Sequence, residues 1–188
     1  MLVTRRRFLG IGLAAAAAWG GWRVVTLLRM PPPEPVLGGE PVGSLAPSTI
    51  AVLVAAAEAV AGYPIDPVHY ETYYRWRAEH LRGYRALYER FAQEADRGAH
   101  RLAGRPFAAA SSVVRREILA RGPRARAPKT AWDRLRVQLV DYDWPAFDRF
   151  VLGETIGLFA RTDAWVALGY RGWPGMPRGL DRYRRFPG

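Results

Sequence analysis

The chain has 188 residues, 49% of them apolar and 12% aromatic, with a formal net charge of +11 and no cysteine. That apolar content excludes a disordered chain and suffices for one domain with a real core. The absence of thiols excludes disulfides, cysteine-ligated zinc, iron–sulfur clusters and covalent c-type haem attachment.

Thr4, Arg5, Arg6, Arg7, Phe8 and Leu9 stand near the start, ahead of Gly10 and an uncharged stretch that ends at Trp22. A positive beginning followed by a short, moderately apolar segment is the pattern of an export signal. Consecutive arginines followed by Phe-Leu are similar to a twin-arginine signal, whose route carries cargo that is already folded. The uncharged stretch from Phe8 to Trp22 is 15 residues long, short of the roughly 20 that span a bilayer. Residues 1–29 therefore read as a signal cleaved near Ala16 to Ala18, or as an uncleaved anchor with Arg23 snorkelling. Residues 30–44 (MPPPEPVLGGEPVGS) form an extended linker, because proline has no amide donor and stiffens the chain.

Residues 45–188 read as one helical domain. Ile50, Leu53, Val54, Ala57 and Val60 or Ala61 recur at helical spacing in a first helix that opens within Ser44-Leu45-Ala46-Pro47-Ser48 and stops at Gly62. Its only charge is Glu58, so most of its girth is expected to be buried. Asp66-Pro67 is a cap followed by a proline at the first helical position. The helix it opens carries Tyr70, Tyr73, Tyr74, Trp76 and Arg77, and Gly83 bends or breaks it. A long helix then places Tyr84, Leu87, Tyr88, Phe91, Ala95 and Leu102 on one stripe and closes at Gly104. Ser111 or Ser112 caps a shorter helix with Val113, Val114, Ile118 and Leu119, followed by a basic loop over 122–128 (GPRARAP).

Thr130-Ala131-Trp132 begins another helix with Leu135, Leu139 and Val140. From Trp144 onward, Phe147, Phe150, Val151, Leu152, Ile156, Leu158 and Phe159 fall on several sides of one helix. That pattern predicts a buried helix around which the rest packs. Thr162 or Asp163 caps a short helix through Trp165 and Leu168, and YRGWPG after it is too rich in Gly and Pro for regular structure. No alternating strand pattern, hairpin dipeptide or internal repeat occurs. The expected fold is all-α: a compact bundle of about five to seven helices with an irregular, aromatic C-terminal segment.

The candidate chemistry is sparse. Apart from Lys129 the basic residues are all Arg, and they are mixed with Glu and Asp without any nucleic-acid motif. His69, His80 and His100 form neither HExxH nor ExxH, so no metal ligands are assigned. Asp141, Asp143, Asp148 and Glu154 are the most acidic group near the expected core, and paired carboxylates can do acid–base work. The reading favoured is structural, with an arginine such as Arg149 or Arg134 pairing with one of them, because a buried charge needs a partner. There is no GxSxG elbow, P-loop or GxGxxG. No catalytic, cofactor-binding or metal residue is therefore assigned. With 7 Trp and 9 Tyr, some aromatics are expected at a partner interface rather than inside one small core.

The order of these pieces resembles a family. It comprises the Arg5–Arg6 leader, the helix that ends before a proline-bearing turn, and the junction Gly104-Arg105-Pro106-Phe107. Thr155, Gly157 and Phe159 follow, then Ala164-Trp165, Gly169-Tyr170 and Trp173-Pro174-Gly175. Together they are similar to the gluconate 2-dehydrogenase subunit 3 family, small subunits of bacterial membrane-associated flavin-dependent sugar, polyol and sugar-acid dehydrogenases. The resemblance implies a non-catalytic subunit. Its FAD-bearing partner would be a large subunit of the glucose–methanol–choline oxidoreductase type, often accompanied by a multihaem cytochrome c subunit. It implies export by the twin-arginine translocase together with the folded large subunit, and a periplasmic, membrane-associated complex. Trp165, Tyr170, Trp173 and Pro174 are the expected contact with the large subunit. The alternatives are an exported helical protein held at the membrane face without a flavoprotein, and an enzyme built on the acidic group at 141–154.

Overall fold

The structure, a computed structural model, describes residues 36–164. The signal residues 4–9 and the four expected contact positions Trp165, Tyr170, Trp173 and Pro174 lie outside the described residues. Among those described, every regular element is helical, as the all-α reading expects. In chain order they are α1 (Pro47–Ala61), α2 (Pro67–His80), α3 (Tyr84–Ala103), a 3₁₀ turn (Phe107–Ala109), α4 (Ser112–Leu119), α5 (Arg121–Arg126), α6 (Ala131–Leu139), α7 (Trp144–Phe147), a π turn (Asp148–Leu152) and α8 (Gly153–Arg161). They divide into two compact units, one formed by Leu37–Leu119 with 149–164 and one by Ala120–Asp148. None of these helices is long and apolar enough to cross a membrane.

In the larger unit α1 is the hub. Pro47 opens it where a missing N–H costs nothing, and Gly62, at φ 63°, closes it by donating to Glu58 O. Its buried residues Ile50, Val52, Leu53, Ala56, Ala57 and Ala59 cover more than half of its circumference together with Thr49 and Ala55. Accordingly it packs against α2, α3, α4, α8 and the 3₁₀ turn. The sequence pattern assigned this central role to the helix from Trp144 onward, and the structure corrects that. The run is interrupted by the π turn at Asp148–Leu152, whose extra residue rotates the face presented by everything after it. Val151 and Leu152 within the turn are buried, whereas Ile156 after it in α8 is exposed.

The break between α2 and α3 falls at Gly83, at φ 84°. A Cβ there would stand 2.3 Å from Gly38 O, so glycine is needed both for the turn and for the approach of the preceding segment. That segment is pinned by Gly83 N–H to Glu40 O at 3.1 Å and Gly43 N–H to Ala78 O at 2.9 Å. Asp66 caps α2 by accepting from Val68 N–H at 3.1 Å. On α3 the expected stripe is buried from Tyr84 to Ala95, but Leu102 is exposed. Asp96 accepts from Phe107 N–H at 2.7 Å, and Arg115 donates to Phe107 O and Ala108 O. These bonds hold the Gly104–Phe107 junction, with Phe107 fully buried.

In the smaller unit the basic stretch predicted as a loop is the helix α5. Pro123 is tolerated because it occupies the first turn, where no intrahelical N–H bond is lost. α6 opens with a capping box, Thr130 and Asp133 each bonding the other's backbone N–H. Val137, Trp144, Pro145 and Phe147 are its buried apolar residues of any size, and the Trp144 and Phe147 rings meet edge-on at 5.6 Å.

Candidate functional site

The densest polar constellation in the larger unit is an arginine enclosed by tyrosines. Spacings of three and four along α2 bring Tyr70, Tyr73, Tyr74 and Arg77 to one side of that helix, and a spacing of four aligns Tyr84 and Tyr88 on α3. The Arg77 guanidinium lies 4.9 Å from the Tyr73 ring centroid and 4.7 Å from that of Tyr84. Glu154 of α8 accepts from Arg77 Nη1 on Oε2 at 2.5 Å and from the Tyr84 hydroxyl on Oε1 at 2.6 Å. Beside it Thr155 Oγ1 donates to Val151 O at 2.6 Å, so Tyr74 donates to Thr155 at 2.7 Å. The Tyr74 and Tyr88 rings pack edge-on at 5.4 Å.

Burial dominates the electrostatics of this cluster. Desolvation first, then the Asp163 carboxyl, pushes Tyr70 up to about 12. Desolvation also raises Tyr73, Tyr74, Tyr84 and Tyr88, with Glu154 adding to the rise in each. Around Arg77, burial disfavours the charge, and Glu154 with the surrounding tyrosines more than offsets it. The phenols are therefore neutral and the guanidinium charged at ordinary pH. Both oxygens of Glu154 are already engaged, which leaves the group badly placed to take a substrate proton. The cluster joins α2, α3 and α8. Three atoms in it, Tyr70 Oη, Tyr88 Oη and Arg77 Nε, are buried without a hydrogen-bond partner, a cost tolerated inside an otherwise connected network.

The acidic residues singled out by sequence fall in different places. Asp141 is buried and pairs with Arg136 at 2.9 Å, and Asp148 is buried and pairs with Arg126 at 2.9 Å. Burial raises the Asp148 carboxyl more than Arg126 lowers it. The expectation that arginines neutralise these groups holds, but the partners are Arg77, Arg126 and Arg136. Arg149 and Arg134 make no ion pair among the described residues, and the Arg149 guanidinium lies 5.2 Å from the Phe150 ring centroid instead. Glu154 belongs to the larger unit and Asp141, Asp143 and Asp148 to the smaller.

Among the described residues no three His, Asp or Glu side chains gather as a metal site. An open groove of about 480 Å³ runs along α1 over Pro47, Ile50, Ala51 and Val54, and its charged lining residues pair with one another, Arg75 with Glu71 and Arg115 with Glu58. A shallow groove of that kind lacks the convergent polar groups of a small-molecule site. Sequence reasoning placed the tyrosines and Arg77 on two helices and missed the clamp. The spacings on α2 and α3 were visible, whereas the partner Glu154 lies 77 residues from Arg77. Compared with protein-family models, curated proteins and solved structures, the chain gives no match.

Proposed function

We propose that this chain is the non-catalytic small subunit of a flavin-dependent sugar or alcohol dehydrogenase, exported by the twin-arginine route with its folded partner. The observation that carries the reading is the Thr4–Leu9 signal motif followed by the ordered pieces that end in Trp173-Pro174-Gly175. Two structural features support it. The described residues form an all-α scaffold, and Asp141, Asp148 and Glu154 in it are engaged by arginine or tyrosine. FAD and substrate oxidation belong to the large subunit in this reading, and the complex resides at the periplasmic face of the membrane.

The mechanism is mutual burial. A small subunit that binds only the folded large subunit draws that form out of the unfolded population by mass action. Aromatic side chains supply much contact area at low entropic cost, which favours Trp165, Tyr170, Trp173 and Pro174 as the docking segment. Co-expression of the tagged chain with a candidate flavin-dependent large subunit from the same organism tests this. Trp173→Ala with Tyr170→Ala is expected to reduce recovery of the partner at least about tenfold, and Arg5→Lys with Arg6→Lys to hold both chains in the cytoplasm. Recovery of an undiminished complex from the double alanine variant would refute the docking segment. Export unaffected by the lysine pair would refute the signal.

A further inference from the structure

We propose that residues 38–45 act as a fold-dependent latch on the chain's N-terminal segment. They are closed to proteases once the elbow between α2 and α3 has formed. A chain whose elbow has not formed is cut there and loses residues 1–37.

The composition of the stretch gives it no structure of its own. Gly38, Gly39 and Gly43 leave the backbone free, Pro41 has no amide donor, and apolar side chains are few. On sequence alone it belongs to an extended linker. In the fold it lies against the larger unit: Val36 is 74% exposed, whereas Leu45 is 4% exposed.

The elbow supplies what holds it. Gly43 N–H donates to Ala78 O at 2.9 Å, in the last turn of α2, where carbonyls lack helical partners. Gly83 N–H, where α3 begins, donates to Glu40 O at 3.1 Å. Gly38 O approaches so closely that a Cβ on Gly83 would stand 2.3 Å from it. The Glu40 carboxylate also faces Arg90 of α3 across 3.9 Å. These partners come together only when α2 has ended and Gly83, at φ 84°, has turned the chain into α3.

Proteases bind a stretch whose backbone is free, so one whose amides and carbonyls are engaged is cut only from its opened form. The latch shares its elbow with the clamp, since Arg77 precedes Ala78 and Tyr84 follows Gly83. It therefore responds to the same pairing of α2 with α3. The latch stands apart from the flavoprotein reading, but its consequence for export rests on residues 4–9 being the signal. A chain that fails to pair the two helices is then parted from its signal, and a folded chain stays joined to it.

The test is thermolysin digestion of the purified full chain, with a synthetic peptide of residues 36–46 as the free reference. Thermolysin cuts before apolar residues such as Val42 and Leu45, and mass spectrometry reads the new ends. Cutting at these bonds is expected to be at least about 100-fold slower in the folded chain than in the peptide. Gly83→Ala should reduce that protection about tenfold or more, measured against the same reference. Gly43→Pro, measured against the peptide of its own sequence, should do the same. It removes the donor to Ala78 O from outside both helices, so helicity by circular dichroism should be retained. A folded chain cut as fast as the peptide, or both variants as well protected as the wild type, would overturn the proposal. In cells, Gly43→Pro should yield a fragment beginning within 38–45 and lower export of the intact chain. Unchanged export without that fragment would overturn the severing step. Normal export of the Arg5→Lys, Arg6→Lys pair would instead refute the signal, and the digestion result would be unaffected.

Discussion

Removing Glu154 probes the clamp between α2, α3 and α8 most sharply. Glu154→Ala strands the Arg77 guanidinium between two tyrosine rings and leaves the Tyr84 hydroxyl without its acceptor. Losing one partner of a fully buried ion pair costs about 3–5 kcal/mol. The Arg77 and Glu154 side chains retain 20% and 24% exposure, so water screens part of the stranded charge. The expected loss is about 2–3 kcal/mol. With a urea slope of about 2 kcal/mol/M, this lowers the unfolding midpoint by about 1–1.5 M. Arg77→Met combined with Glu154→Leu removes both charges together, and the pair should recover at least about 1 kcal/mol relative to the sum of the single changes. A midpoint within about 0.2 M of the wild type for Glu154→Ala, or single effects that simply add, would refute the clamp.

Three further outcomes follow from the described residues. The folded-state pKa values of Tyr70, Tyr73, Tyr74, Tyr84 and Tyr88 lie above those of the unfolded chain. Their stabilisation is therefore complete below about pH 10 and is lost as pH rises toward the folded values, at about 1.4 kcal/mol per pH unit for a fully buried tyrosine such as Tyr74 or Tyr88. Tyrosinate absorbance should show part of the nine tyrosines titrating only as the helices melt, and a single reversible titration with helicity retained would contradict it. Gly83→Ala forces a Cβ against Gly38 O at a left-handed backbone position, and should cost about 1–3 kcal/mol. It should also speed amide exchange at Gly43, and unchanged protection there would contradict the pinning. Thr130→Ala removes the cap of α6 and should cost about 1 kcal/mol, read as faster exchange in 131–139 while α1 stays protected.

The helix ends were legible because local chemistry sets them. Gly62, Gly83, Gly104, Asp66-Pro67 and Thr130 each act within one turn of themselves, and the structure uses all of them. The burial pattern was legible where a helix is uniformly apolar, as in α1. It failed after Trp144, since a π turn shifts the face by an amount the residues do not announce, and at α6, whose Trp132 and Leu139 look like core residues and face outward. The basic stretch at 122–128 misled for another reason: Gly-Pro signals a loop in general, but proline is harmless in a first turn. The need for arginine partners on Asp141, Asp148 and Glu154 followed from desolvation alone. Which arginines they are is decided by packing, and for Glu154 by a helix 77 residues away.

The measurement that bears most directly on the proposed function is a gentle purification through a C-terminal tag from the native envelope, followed by an absorbance spectrum. A flavin spectrum with a larger co-purifying chain is expected, and dye-linked oxidation of sugars or alcohols would then identify the substrate. A colourless, partner-free protein, recovered under conditions that keep complexes intact, would contradict the accessory-subunit function and leave an exported helical protein at the membrane face.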